Sequence, residues 1–482
     1  MNVKKLLIII FFIYTFFLGA RQLPADPPQV KFNLSNQQLS TINLPLDPDL
    51  KQLDLTENLF EKIDLSLYVF LTHLDLSKNN LSAIDLSANK ELAFLNLSEN
   101  KISEIDLSNN HKLVELQLIR NHLTRIDLSS NSALTRLYLS LNRLKSLNLE
   151  ANQNLAYLKL SSNELTALNT EANPELTGLW ASKNKLKTIS LSRNPKLTWL
   201  WLDSNLLRSI ELSANPRLAD LNVSNNQIKT LDLSNHVKLW ALSLKNNRLT
   251  ELNIRPNKEL RVLEAGQNLL NEIDLRQNPE LWRLDLSQNY LSQLNLKNNH
   301  KLTTLNVFGN QIQTIDLSNN VSLEELNLAN NRMAELDLSK NKSLRLVDVS
   351  GNLLSIGQLT AINGQIPPGA KLVTGEQKNV RVEGLTKAPL VVSQQYDLSS
   401  ENYGPGKVKT VFEFKLNGQA AKIKLDYKLT QAGKLTFLKS GRYELKMIVA
   451  QKPLNSHGGS ICFYILVLPD TNNFFQMAYI LL

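Results

Sequence analysis

The sequence holds one cysteine, Cys462, so no disulfide can close within the chain. The six histidines (His73, His111, His122, His236, His300 and His457) are scattered and match no metal-ligand spacing. No G-x-S-x-G, H-E-x-x-H or phosphate-binding loop occurs, so the signatures of common hydrolase, metalloprotease and nucleotide chemistry are missing. Glycine and proline are scarce, at 17 and 16 of 482 residues. Leucine and asparagine dominate instead, which is the composition of a repeated unit.

Length supports the same view. One compact core rarely grows past roughly 250–300 residues, so a 482-residue chain needs several domains or an elongated array. The net charge of +9 is uneven. Residues 50–355 are nearly balanced, whereas residues 356–482 carry 15 Lys and Arg against 8 Asp and Glu. A basic C-terminal region of this kind suits either an ordinary solvated surface or contact with an anionic wall polymer or lipid headgroup. Nucleic acid is not expected as a partner, because the N-terminus reads as an export signal. Lys4 and Lys5 precede an apolar run over 6–18, and Gly19 and Ala20 offer a small-residue cleavage site before Arg21. The run is short for a membrane span, which needs ~20 apolar residues.

From Leu50 the chain advances in steps of 21 residues without insertion, and each step opens on Leu through Leu344. Eight residues after each start stands Asn, from Asn58 and Asn79 to Asn331 and Asn352. Every step has two similar halves. Leu71, Leu74, Leu76, Ser77 and Asn79 mark one first half; Leu81, Ile84, Asp85, Leu86, Ser87 and Asn89 mark the second half that follows. The L-x-L alternation has the period of a strand, so each half is expected to be a short strand with Leu or Ile inward. A single coil cannot bury its apolar edge alone, whereas stacked coils build one core. Asn both donates and accepts, so a stack of Asn can satisfy backbone groups turned inside. The Asp that follows each second-half Ile (Asp64, Asp85, Asp106 and Asp127) would stack in a row, either around a cation or, more simply, accepting local N–H groups. Asn148, Asn169 and Ser190 continue the row without charge, which favours the second role.

The first half resembles the leucine-rich-repeat consensus. The nested 21-residue form, with I-D-L in the second half, resembles the bacterial class called IRREKO, and the layout is similar to internalin-like surface proteins. The resemblance covers roughly residues 29–355. It implies a binding or adhesion module, names no ligand, and implies no cofactor. A Cys-dependent ubiquitin ligase domain, known in some secreted bacterial repeat proteins, does not fit, because its Cys-x-Asp motif is absent and Cys462 precedes Phe463 and Tyr464 in an apolar run.

The expected organisation is a signal peptide over 1–20, a linker and cap over 21–49, the solenoid over 50–355, and a linker over 356–369. A small antiparallel, Ig-like β-sandwich would follow over 370–467. Its strands are expected at 408–416, 421–429 and 443–449, with Asn417-Gly418 as a hairpin turn. Residues 468–482 resemble a degenerate or truncated wall-sorting signal, Leu468-Pro469-Asp470-Thr471-Asn472, or else a turn and a last strand.

The two strand rows differ in one informative way. Outward positions of the first strand carry Phe94, Tyr138, Tyr157, Trp180, Trp199, Trp201, Trp240 and Trp282, including all five tryptophans, with Arg136 and Lys159 among them. The matching positions of the second strand carry no aromatic. Rings needed only for packing would point inward or appear on both faces, so this asymmetry marks a ligand-binding face for a protein or carbohydrate. The competing reading is a structural surface or wall-spacing protein without a specific ligand.

The export reading predicts a mature N-terminus at Arg21. N-terminal sequencing of secreted protein checks it, and a retained Met1 in cytosolic material contradicts it.

Overall fold

A computed structural model describes residues 31–42, 49–375 and 377, and beyond these the backbone of strands between residues 390 and 468. The expected signal peptide, the cap at 21–30 and 43–48, and the sorting-like segment after Leu468 lie outside the described residues. The chain falls into two compact units, Met1–Leu155 and Ala156–Leu482.

Both units contain the same coil. In the first unit, three-residue strands run from Lys31–Asn33 and Gln52–Asp54 to Arg136–Tyr138; in the second they run from Tyr157–Lys159 and Gly178–Trp180 to Leu346–Asp348. Up to Leu346–Asp348, neighbouring strands within a unit pair in parallel with a register of 21 residues, as Trp199–Leu200–Trp201 on Asp220–Leu221–Asn222. The alternation decides the side-chain directions. Leu200, Leu202, Leu207 and Leu212 are wholly or almost wholly buried, and each coil repeats the pattern. Burying one such Leu is worth about 1.5–3 kcal/mol, so apolar stacking between coils drives folding.

Asparagine completes the interior. Asn205 Nδ2 donates to the carbonyls of Ala181 in the preceding coil and Leu202 in its own, each at 3.0 Å. Asn205 Oδ1 accepts from Leu186 N at 3.0 Å. The residue before each such Asn takes the left-handed conformation, with φ of 54° at Lys183 and 58° at Ser204, which turns the chain into the core. A second row lies half a coil away: Asn215 Nδ2 donates to Leu191 O at 3.0 Å and Asn194 O at 2.9 Å. At one place this row changes residue. His236 occupies the Asn position with 1% exposure, and its Nε2 donates to Leu212 O at 3.2 Å. Burial pushes the imidazole below its ordinary pKa.

Three expectations need correction. The coils carry one short strand each, not two; in the second half the only strand-like pairing among the described residues is a bridge between Asn169 and Ser190. The cause is local competition for N–H groups. Ser87 N donates to Asp85 Oδ1 at 2.9 Å and Asn89 N to Leu86 O at 3.0 Å, so neither is available to a ladder. The same bonds answer the Asp row. Ser66, Ser87, Ser108 and Ser129 each bond Asp64, Asp85, Asp106 or Asp127 and hold those carboxyls below their ordinary pKa.

The expected linker over 356–369 contains an α-helix, Ile356–Gln365, whose N-cap Ser355 accepts from Gln358 N. The expected start of the β-sandwich at residue 370 also shifts. The strand Lys371–Val373 pairs in parallel with Leu346–Asp348 and continues the solenoid. Gln377 stands in for the ladder Asn there: its Nε2 donates to Val349 O at 2.9 Å and its Oε1 accepts from Leu354 N at 3.2 Å. The repeat phase ends in sequence at about Ser355, but its hydrogen-bonding need continues for one coil and is met by different residues. Further on, Val408–Leu416, Gly441–Val449 and Ser460–Leu468 pair antiparallel in order.

Asn226→Ala leaves the carbonyls of Leu202 and Val223 and the amide of Leu207 without their side-chain partner. It should destabilise the chain by about 1–3 kcal/mol in denaturant unfolding. His236 supplies a pH prediction. Its folded-state pKa lies below the reference 6.5, so the neutral form favours folding, and stability falls as pH drops from about 6.5 towards the lowered value. His236→Asn should remove that loss, as read from melting temperatures between pH 7.5 and 5; equal acid sensitivity in both proteins contradicts the assignment.

Candidate ligand-binding face

On the strands, the third and fifth residues of each step face outward around the buried Leu at the fourth. In the second unit the register places Tyr157, Gly178, Trp199 and Asp220 in one row, and Lys159, Trp180, Trp201 and Asn222 in the next. Glycine at residue 178 changes how these rows fill. A Cβ built there would overlap Cζ3 and Cη2 of Trp180, so the indole leans across and rests where another side chain would stand. Glycine in a strand allows this close approach.

The consequence is a ladder of rings drawn from two rows. Trp180 lies 6.5 Å from Tyr157 with planes 15° apart, and 6.5 Å from Trp199 with planes 18° apart. Trp201 meets Trp180 edge-on at 6.5 Å and 74°. Lys159 Nζ sits 5.3 Å from the centre of the Trp180 ring, a cation–π position worth roughly 0.5–1 kcal/mol when exposed. At the far side the Trp201 indole N–H donates to Asp220, whose carboxyl is pushed above its ordinary pKa by burial, an effect that the indole bond opposes. Asp203 follows on the same edge, accepting from Ser182 Oγ at 2.5 Å and Asn222 Nδ2 at 3.3 Å. The face therefore joins an apolar strip to a cation on one margin and carboxylates on the other.

Five of the ten expected residues come together here: Tyr157, Lys159, Trp180, Trp199 and Trp201. Trp240 and Trp282 lie on the same unit at the second position of their steps, 40% and 43% exposed, and among the described residues no ring contact joins them to the ladder. Phe94, Arg136 and Tyr138 belong to the first unit. There Phe94 stacks on His73 at 5.9 Å and Arg136 pairs with Glu115 at 3.2 Å. Sequence reading missed Gly178 and Asp220. The first had a signal, an outward strand position without a side chain between two aromatics; the second had none.

The coil, the Asn rows and the parallel strand face define a leucine-rich-repeat solenoid. Solved structures share this fold. The functional domain of InlJ from Listeria monocytogenes, which includes a cysteine ladder, superposes with a TM-score of 0.65 at 23% identity, covering 86% of this chain and 87% of that one. The leucine-rich-repeat protein LIC12759 from Leptospira interrogans matches at 0.57 and 22% identity, over 70% and 94% of the two chains. The plant peptide hormone receptor RGFR1 in complex with RGF2 matches at 0.61 and 25% identity, over 70% and 61%. No family model matches the sequence, and no curated protein matches it. Among the described residues, no helix is long and apolar enough to cross a membrane.

Gly178→Ala should displace the Trp180 ring and abolish the near-ultraviolet circular dichroism that stacked indoles give, with the melting temperature little changed. An unaltered aromatic spectrum contradicts the placement of Trp180 over residue 178.

Proposed function

We propose that this chain is an exported cell-surface protein that binds a protein ligand through the aromatic face of its second unit. The observation that carries the reading is the ladder Tyr157–Trp180–Trp199 with Trp201 at its edge, concentrated on the strand side of coils whose second halves carry no ring. Large rings left on the outside of a core are enriched where partners bind. The fold is shared with a receptor solved with a peptide hormone, which supports a protein ligand over a purely structural role. A carbohydrate ligand is the second reading, favoured by the row of indole faces with carboxylates at its margin. The strands after residue 377 are read as a spacer module of β-sandwich type, and the basic charge of the C-terminal region as a contact for an anionic wall polymer.

Binding of the labelled chain to target cells tests this. Trp199→Ala with Trp201→Ala should abolish binding with a loss of stability of no more than about 1–3 kcal/mol, since Trp201 is exposed and Trp199 half-buried outside the Leu core. Lys187→Ala with Thr188→Ala, in the second half of the coil, should leave binding intact. Protease treatment of the target should remove the signal and glycosidase treatment should not. Equal loss from both pairs of substitutions, or a collapse in melting temperature for the Trp pair, refutes the recognition face.

A further inference from the structure

A second row on the same unit carries a different chemistry. The residues at the second position of consecutive steps are Trp240, Arg261 and Trp282, and their backbones are linked coil to coil: Arg261 N donates to Trp240 O at 2.8 Å and Trp282 N to Arg261 O at 3.0 Å. All three side chains are exposed. Beside Trp240 and Arg261 the third-position row offers the small or short residues Ala241 and Val262, and beside Trp282 it carries Arg283.

The charge pattern of the strand face singles out Arg261. In this unit the other outward cations of the strands up to Leu346–Asp348 each have a partner within the array. Arg345 bonds Glu324 at 3.3 Å, in the same row and one coil earlier. Arg283 bonds Glu264 at 3.1 Å, and Lys159 lies over the Trp180 ring. Arg261 has indoles at both axial positions, where Arg345 has a glutamate at one, and among the described residues no carboxylate pairs with it. Axial ion pairs occur on this exterior, as in Lys185 with Glu164, Lys196 with Glu175 and Lys301 with Glu280, while exposed arginines off the strands, such as Arg208 and Arg248, have no ion pair among the described residues. What sets Arg261 apart is its place on the strand face with an exposed indole on either side in its row.

We infer that Trp240, Arg261 and Trp282 form an anchor for a carboxylate of an acidic peptide segment, the guanidinium taking the Asp or Glu side chain and the indoles taking apolar residues on either side of it. The guanidinium presents a rigid fork of donors that matches a carboxylate in two parallel bonds. Flanking rings exclude water from those bonds, and Trp and Arg are the residues on which binding energy concentrates. The charge fits an acidic partner, and the short Ala241 and Val262 leave room beside the row for an extended segment. The inference rests on reading the strand face as a protein-binding surface, but it concerns a separate row from the ring ladder.

The test is selection of peptides from a random library on the full chain, followed by affinity measurement with individual synthetic peptides. Selected peptides should share an Asp or Glu flanked by apolar residues. Arg261→Gln should weaken them at least about tenfold, and Arg261→Lys should recover only part of the loss, because the ammonium has no fork. Replacing the peptide's acid by its amide should weaken binding to the wild type and leave binding to Arg261→Gln unchanged. Unaltered affinity in Arg261→Gln, or selected peptides without an acid, overturns the anchor. Loss on Trp199→Ala with Trp201→Ala but not on Arg261→Gln overturns it while leaving the broader reading in place. Binding of a uronic acid polysaccharide through Arg261, with no peptide selected, also overturns it.

Discussion

The side-chain amide of asparagine, bonded between coils, is the constraint on which everything else depends. Leucines supply the drive to stack, but they are indifferent to register: a slip of coils would still bury Leu against Leu. The amide is not indifferent. Asn205 must find the carbonyl of Ala181 one coil back and the amide of Leu186 beyond it, and a buried donor or acceptor left unpaired costs about 1–3 kcal/mol. Repeated along the array, that penalty holds the step at 21 residues from Leu50 to Leu344, and the longer last step meets it with Gln377 in place of Asn. It also supports residues such as Lys183 and Ser204 in a left-handed conformation that they would otherwise avoid.

A rigid interior frees the outside. Because each coil's shape comes from Leu and Asn, the outward positions of the strand can carry any residue without endangering the fold. Parallel pairing then brings residues 21 apart in sequence into neighbouring rows. The ring ladder uses that freedom together with one glycine. Trp180 fills the place of a missing side chain and joins Tyr157 to Trp199, which its own row would have kept apart. The same freedom lets the second-position row carry an Arg–Glu pair at Arg345 and an Arg between indoles at Arg261.

What the sequence disclosed follows from this division. The coil length, the inward Leu and the structural Asn were legible because every coil needs them, and repetition amplifies the signal. The aromatic face was legible as composition, through the placement of Trp180, Trp199 and Trp201. Its internal geometry was not, because the lean of Trp180 depends on the absence at Gly178, and the margin at Asp220 depends on the Trp201 indole of the adjacent strand and neighbouring row. The second strand was over-read. I-D-L-S has strand periodicity, but the Asp85 carboxylate captures the Ser87 N–H and the Leu86 carbonyl takes that of Asn89. The last coil was under-read, since Gln377 and the helix Ile356–Gln365 do the work of Asn and a second half without matching the pattern.

Fluorine nuclear magnetic resonance of the chain labelled with 5-fluorotryptophan tests the central claim most directly. Its five tryptophans give five resonances, assignable by single substitution. With a bound protein ligand, the account predicts that the signals of Trp180, Trp199 and Trp201 shift or broaden together, since they share one surface. Saturated binding that leaves those three resonances unmoved would contradict it.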